Sequence, residues 1–339
     1  MILAGDVGGT KCNLALFQEE GLTLRPVFQR RFATKDFRGL EEVVRDFRAE
    51  AAPLLNRARR IEAAGFGLAG TVVEGCLHAG NVQWELDIPV LAASLGLQEV
   101  VLLNDITATA LSIDKLSAQD VVLLNPGLKE PRATKAVLAA GTGLGEAILL
   151  WDGEHYRIAP SEGGLADFAP RTAQEIRLLA YCKERLPNVS CEEILSGRGF
   201  RRIHEFLDGT VRHGWSGTDD ANAARDITRQ ALAGSCSVCV ETVDIWAQAY
   251  GSEAGNLALR TLALGGIYLA GGIAPKILSK LKDGAFLRAF CDKATLASVL
   301  ARIPVYVIMN EDAPIWGAAY QALARSRGGL RGASSPVAA

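Results

Sequence analysis

The run Val100-Val101-Leu102-Leu103-Asn104-Asp105 changes character in one step, from four branched apolar residues to an amide and a carboxylate. Residues 107–113 then carry apolar side chains at helical spacing. The run reads as a buried strand that delivers Asn104 and Asp105 to its C-terminal end. In open α/β sheets ligands gather beyond the carboxyl ends of the strands, so a carboxylate there can reach a substrate hydroxyl. Both residue types are also favoured N-caps, and a cap on the following helix is the competing reading.

Upstream, residues 2–7 and 13–17 are apolar runs joined by Gly8-Gly9-Thr10-Lys11, and 22–32 is a third strand-like run. Gly8 and Gly9 can take backbone angles closed to other residues. Such a turn can point N–H groups at a phosphate, with Asp6 placed to hold a hydrated Mg²⁺; a plain hairpin turn is the alternative. It is not a Walker A loop, because counting from Gly5 the second required glycine is Thr10. A helix over 40–55 broken near Pro53, a strand over 61–68, a hairpin arm at 72–77, a loop carrying Trp84, a short helix over 89–95 and a strand over 99–103 follow. Strands first, then alternating helix and strand, give an α/β class with mixed sheet direction.

Downstream, strands over 135–140 and 147–151 flank Gly141-Thr142-Gly143-Leu144-Gly145, the same framing of a glycine turn with a threonine. This turn leads into a strand, so the dinucleotide fingerprint does not apply. Residues 160–168 read as a loop carrying Glu162, and 172–186 as an amphipathic helix. Ser190 and Glu193 have the spacing of a capping box, which leaves Glu192 without a structural duty or simply exposed on the surface. Residues 221–264 are mostly helical, with breaks expected at Gly234 and Gly251. A strand over 266–269 ends in Gly271-Gly272, followed by an expected helix start. A last strand over 304–309 and a last helix over 314–324 precede a Gly/Ser/Ala-rich stretch, 326–339, expected to fray.

The 339 residues suffice for two domains, and 49% hydrophobic with 22% charged residues is ordinary globular composition. A net charge of −2 supplies no basic field for nucleic acid or an anionic membrane. Seven cysteines, an odd number scattered through apolar segments, fit buried thiols in a reducing cytosol. Cys236 and Cys239 form a C-x-x-C, read as structural thiols within a helix-like stretch, and the four histidines show no metal-ligand spacing. Residues 1–4 lack the features of a signal peptide, and the uncharged stretch 261–275 falls short of the ~20 residues of a membrane span.

Taken in order, Asp6-Val7-Gly8-Gly9-Thr10-Lys11, Leu102-Leu103-Asn104-Asp105, Gly141-Thr142-Gly143-Leu144-Gly145, Glu162-Gly163-Gly164, Glu192 within 189–197 and Ala270-Gly271-Gly272-Ile273 resemble the bacterial glucokinase family. The matches span nearly the whole chain. The resemblance implies the actin-like (ribonuclease H-like) sugar-kinase fold, two α/β domains with a central active-site cleft. A small domain of 1–110 plus 312–325, a large one of 111–311 and a flexible tail of 326–339 are expected. It further implies ATP-dependent phosphorylation of the 6-hydroxyl of D-glucose, with Asp105 as general base. Asn104, Asp105, Glu162 and Glu192 would bind the sugar. Asp6, Gly8, Gly9, Thr10, Lys11, Gly141, Thr142 and Gly143 would hold ATP phosphates, Asp6 would hold Mg²⁺ through water, and Gly271 and Gly272 would lie against the adenosine. Partners are then glucose and ATP, with no nucleic acid and no membrane, for a cytoplasmic homodimer.

Two departures from the family pattern stand out, Leu165 and Thr71, the latter replacing a proline common after Leu-Ala-Gly and expected to be tolerated. Leu165 replaces the usual histidine after Glu-Gly-Gly, removing a hydrogen bond worth about 0.5–1.5 kcal/mol, and opens the alternative of another hexose or an amino sugar. A catalytically silent sugar sensor is the remote alternative. The cysteine zinc cluster of the related repressor and kinase family is missing, as is a helix-turn-helix before Ile2, so neither a zinc site nor a transcription factor is expected.

Overall fold

A computed structural model describes residues 1–21, 23–55, 59–73, 76–78, 84, 88–97, 100–208 and 220–328, with backbone alone for 71–73 and 76–78. The chain forms two compact units, Met1–Leu116 with Asp312–Ala339, and Ser117–Glu311.

The first unit opens with β1 (Ile2–Val7), β2 (Lys11–Glu20) and β3 (Thr23–Ala33), an antiparallel meander. Helix α1 (Leu40–Ala51) ends where Pro53 enters a 3₁₀ turn. Strand β4 (Ala63–Leu68), the small hairpin β5 (Thr71–Val73) and β6 (Cys76–His78), α2 (Ile88–Leu95), β7 (Val100–Asn104) and α3 (Asp105–Ser112) complete the first pass. The sheet order is β3-β2-β1-β4-β7, with β1, β4 and β7 parallel. Being covered on both faces, β4 is buried at every position, as the glycine- and alanine-rich sequence AAGFGL allows. One face packs under α1 through Val43, Val44 and Phe47. The other receives α12 (Ala313–Ser326), whose Ile315, Ala318, Ala319 and Ala322 meet Ile2, Ala4, Ala15 and Phe17. Close approach is possible because a Cβ on Gly65 would lie 2.4 Å from the Ala318 oxygen, and one on Gly317 only 1.7 Å from the Ala108 oxygen. From residue 329 onward, the stretch expected to fray lies outside the described residues.

In the second unit, β8 (Val121–Asn125), β9 (Lys135–Ala140), β10 (Leu144–Trp151), β11 (Tyr156–Ser161), β12 (Gly266–Ala270) and β13 (Val305–Ile308) form a sheet of order β11-β10-β9-β12-β13-β8. The sequence reading leaves β8 unassigned and places most of β11 outside any element. Strand β8 repeats the five residues of β7, VVLLN, yet lies half-exposed at the sheet edge, where Asn125 Nδ2 donates to the oxygens of Ala301 and Ile303. In β11 the pattern is masked by Pro160 and Ser161, and pairing with β10 makes the strand.

The helices are α4 (Ala173–Lys183), α5 (Cys191–Ile194), α6 (Gly197–Asp208), α7 (Asp220–Leu232), α8 (Ser237–Thr261), α9 (Leu278–Leu281), α10 (Ala285–Cys291) and α11 (Ala297–Leu300). The capping box forms at Thr172 and Glu175, not at Ser190 and Glu193, where the Ser190 side chain makes no cap bond. Gly234 does end a helix, at φ +65°, but Gly251 lies inside the 25-residue α8. Its missing side chain admits α10: a Cβ there would lie 2.2 Å from the Phe286 oxygen. Trp246 and Tyr250 of α8 stack into the core with Phe200 of α6, and Tyr250 donates to the Leu138 oxygen. The C-x-x-C does not sit within one helix: Cys236 is the N-cap of α8 and Cys239 its third residue. Among the described residues, no helix is long and apolar enough to cross a membrane.

Candidate active site

The sequence-derived residues fall into two groups, one per unit, each gathered around the carboxyl ends of strands or the turns that follow them. In the first unit the register sets Asp6 opposite Gly67 and Gly67 opposite Leu103, and one step on sets Val7, Leu68 and Asn104 in line. The ends of β1 and β7 therefore come level across a residue without a side chain. A Cβ on Gly67 would stand 3.1 Å from Ala108 Cβ and 3.6 Å from Asp105 Cα, so the glycine lets α3 settle low on the sheet.

Asn104 takes the cap. Its Oδ1 accepts from the amides of Ile106 at 2.9 Å and Thr107 at 3.2 Å, and its Nδ2 donates to the Gly70 oxygen at 2.9 Å. Asp105 is thereby placed as the first residue of α3, half-buried, with Oδ1 accepting from the Ile106 amide.

The half-buried Asp6 carboxyl is pushed up to about 7, chiefly by burial and next by the negative charge of Asp105. Asp312, at the start of α12, pushes the same way, while Lys11 and Arg31 oppose it. Carboxylates from β1, α3 and the head of α12 thus crowd one place, a donor set of the hard oxygen type that suits a hydrated Mg²⁺. The adjoining turn is closed by the Gly8 amide on the Lys11 oxygen (2.9 Å) and braced by Thr34, whose Oγ1 donates to the Gly8 oxygen and whose amide donates to the Thr10 oxygen. Neither Gly8 nor Gly9 stands at positive φ, contrary to the sequence expectation. A glycine here bares the backbone, leaving the exposed Gly9, Thr10 and Lys11 at the tip.

In the second unit the Gly141–Gly143 turn links β9 to β10, with the Gly141 amide donating to the Gly143 oxygen at 2.9 Å. A Cβ on Gly141 would meet nothing within 4 Å. Gly271, at φ +81°, lies against the same strand end, since a Cβ there would come within 2.3 Å of the Ala140 oxygen. The helix expected directly after Gly271-Gly272 begins only at Leu278, beyond a run of turns.

Glu192 is neither idle nor simply exposed. Its Oε2 accepts from the Leu144 amide at 3.0 Å and its Oε1 from Arg198 at 3.1 Å. Glu193 turns instead to Arg198 and Arg202, which explains the missing capping box. Glu162 follows β11 and enters a 3₁₀ turn, Gly163–Leu165. A Cβ on Gly164 would lie 1.9 Å from the Leu144 oxygen, so this turn packs on the start of β10. Backbone bonds from the Phe168 amide to the Val189 oxygen and from the Cys191 amide to the Ala166 oxygen join it to the segment bearing Glu192. The start of β10 thus gathers Gly141, Gly143, Glu162 and Glu192. Leu165 is 60% exposed.

Sequence reasoning missed Asp312, Arg198 and Glu146. Glu146, 4% exposed, lies under Gly163 and faces Arg260 and Glu253. Burial chiefly, and Glu253 in part, push its carboxyl up to about 7 against the pull of Arg260. A glutamate inside the apolar run of β10 was the available signal.

The glucokinase family model matches residues 3–325. The chain belongs to the glucokinase family. It is 37% identical to a glucokinase of Nostoc sp. over 340 aligned positions, covering 94% of this chain and 98% of the relative. Among solved structures, a glucokinase from an Antarctic psychrotroph superposes with a TM-score of 0.83 at 27% identity, covering 95% of this chain and 98% of that one. A ROK family glucokinase from Streptomyces griseus, solved with glucose and AMPPNP, shares the fold with a TM-score of 0.64 at 20% identity, over 95% and 99% of the two chains. The fold is accordingly the two-domain, actin-like fold of the glucokinases and ROK sugar kinases.

Proposed function

We propose that this glucokinase-family chain transfers the γ-phosphoryl group of ATP to the 6-hydroxyl of D-glucose, with Asp105 as general base. The observation that carries the reading is the family match over residues 3–325, within which Asp105 heads α3 at the carboxyl end of β7. The 6-oxygen attacks the γ-phosphorus as its proton passes to the Asp105 carboxylate, and the bond to the β,γ-bridging oxygen breaks to release ADP. Asn104, Glu162 and Glu192 hydrogen-bond the remaining hydroxyls. The turn of Gly8, Gly9 and Thr10, through the amides of Gly9 and Thr10, the Lys11 ammonium and the Gly141–Gly143 turn hold the phosphates, and Gly271-Gly272 lies against the adenosine. Asp6 would hold Mg²⁺ through water, and the ion supplies charge neutralisation on the phosphates. Positioning and charge neutralisation are most of what phosphoryl transfer demands, and bare backbone turns with acidic and basic side chains supply both. The protein acts in the cytoplasm as a homodimer, on glucose and ATP alone.

Asp105→Asn tests the assignment in a coupled glucose 6-phosphate assay. Loss of a positioned base lowers kcat by about 10²–10⁴-fold; turnover within tenfold of the parent refutes the role. The exposed Leu165 favours a second reading, a kinase for another hexose or an amino sugar. A panel of glucose, mannose, fructose and N-acetylglucosamine, run on the parent and Leu165→His, decides it. Glucose ranks first in kcat/KM on the main reading.

A further inference from the structure

Outside the residues assigned above, the second unit brings together His204, Cys236 and Cys239, whose ligand atoms all lie within 4.8 Å of one another. We propose that these three side chains form a binding site for a soft divalent cation of the zinc type, pinning α6 to the start of α8.

The donor set is the first argument. One imidazole and two thiolates suit zinc, which takes four ligands in a tetrahedron and reaches sulfur at about 2.3 Å and nitrogen at about 2.0–2.1 Å. Those bond lengths set ligand–ligand edges of about 3.5–3.8 Å. The cluster therefore closes around an ion by a contraction of about 1 Å at its widest edge, within reach of side-chain rotation alone.

The scaffold is the second. His204 is 1% exposed on the face of α6 that also buries Phe200 and Ile203, and Cys239 is fully buried on α8, whose Trp246 stacks on Phe200 at 4.8 Å. Both ligand-bearing helices are fixed in one core, so the donors are held in place before an ion arrives. Cys236 caps α8, and its Sγ accepts the Cys239 amide at 3.4 Å. That amide sits at the N-terminal end of the 25-residue helix and is directed at the Cys236 sulfur. Cys236 is half-buried where His204 and Cys239 are not, so the ion enters on its side and the fourth position opens there to water.

Zinc takes sulfur as the thiolate, so loading the site releases thiol protons. The site has a structural bearing on the phosphate turn. The Gly197 amide at the head of α6 donates to the Gly141 oxygen, and His204 lies two turns further along the same helix. An ion at His204 thus anchors the helix that braces Gly141.

The test uses the full chain, purified with chelator and reductant and then titrated with Co²⁺, followed by displacement with Zn²⁺. The parent is expected to bind one Co²⁺ per chain with thiolate charge-transfer absorption in the near ultraviolet and intense tetrahedral bands in the visible, and to release it to Zn²⁺ with a rise in Tm. Cys236→Ser, at the half-buried position where folding is least at risk, loses the charge-transfer intensity and the Zn²⁺-dependent rise in Tm. His204→Gln weakens Co²⁺ binding at least tenfold. Absence of thiolate charge transfer in the parent overturns the proposal. So does an unchanged spectrum in Cys236→Ser, or a Cys236–Cys239 disulfide whose reduction restores no cobalt uptake.

Discussion

Replacing Gly143 by alanine sets the Gly141–Gly143 turn against Glu192. A Cβ at Gly143 would stand 2.5 Å from Glu192 Oε2 and 3.2 Å from its Cδ. Carbon and oxygen at ordinary contact need about 3.5 Å, so the carboxylate must retreat by about 1 Å. The same oxygen accepts from the Leu144 amide at 3.0 Å, and a retreat of that size breaks the bond. A hydrogen bond to a charged acceptor is worth about 1.5–3 kcal/mol, which converts to a loss of about 10–150-fold in kcat/KM for glucose if the displaced carboxylate also leaves the sugar. Gly143 does not stand at positive φ, so alanine meets no backbone strain, and the obstacle is the end of a flexible side chain. Stability should therefore fall by no more than that one bond, about 1.5–3 kcal/mol, while catalysis falls with it. The coupled assay gives kcat/KM, thermal melting gives stability, and Glu192→Ala closes a double-mutant cycle. With the obstructing side chain removed, Gly143→Ala should add nothing to Glu192→Ala. Activity of Gly143→Ala within twofold of the parent, or effects that add to within about 0.5 kcal/mol, would refute the reasoning.

Two further outcomes follow from buried polar groups. The Glu146 carboxyl is raised from 4.5 to about 7, so the folded chain keeps a proton that the unfolded chain gives up, and stability should fall as pH rises through that window and level off above it. Glu146→Gln removes this fall, matching the parent near pH 5 and exceeding it at pH 8 by on the order of 3 kcal/mol in denaturant unfolding; parallel curves would contradict it. Asn104→Ala removes the α3 cap and the tie to Gly70 and should cost about 1–2 kcal/mol, whereas Asn104→Ser keeps the cap and recovers most of it. Equal losses in the two variants, measured by calorimetry, would show that the cap is not what Asn104 supplies.

Family and fold class were legible because glycine turns and strand-end carboxylates recur in a fixed order, information that survives errors in single elements. Individual elements were less so. VVLLN is an edge strand twice, buried at Val100 and Val101 in 100–104 but at no position in 121–125, and what separates the two is the following residues: Asp105 begins a helix, while Pro126-Gly127 turns the chain away. Ser190 and Glu193 have the spacing of a capping box, but two arginines on α6 outcompete a serine amide for the carboxylate, and arginine partners from a later helix cannot be read from local spacing. Gly251 looked like a break because its role belongs to α10, 35 residues further on. The same limit hid the meeting of His204 with the C-x-x-C, which depends on how α6 lies against α8 and on nothing within either segment.

Helix α12 carries a consequence for how the chain is made. The face of the first sheet formed by Ile2, Ala4, Ala15 and Phe17 is covered by Ile315, Ala318, Ala319 and Ala322. Strands translated first therefore wait for a helix translated after all of Ser117–Glu311, a delay of roughly 10–40 s at about 5–20 residues per second. On the ribosome the second unit has every residue it needs while the first still presents an uncovered apolar sheet. Of the two units, the one whose strands are made earlier is the later to close, and that open face is where nascent chains of this fold are most exposed to chaperone capture or aggregation.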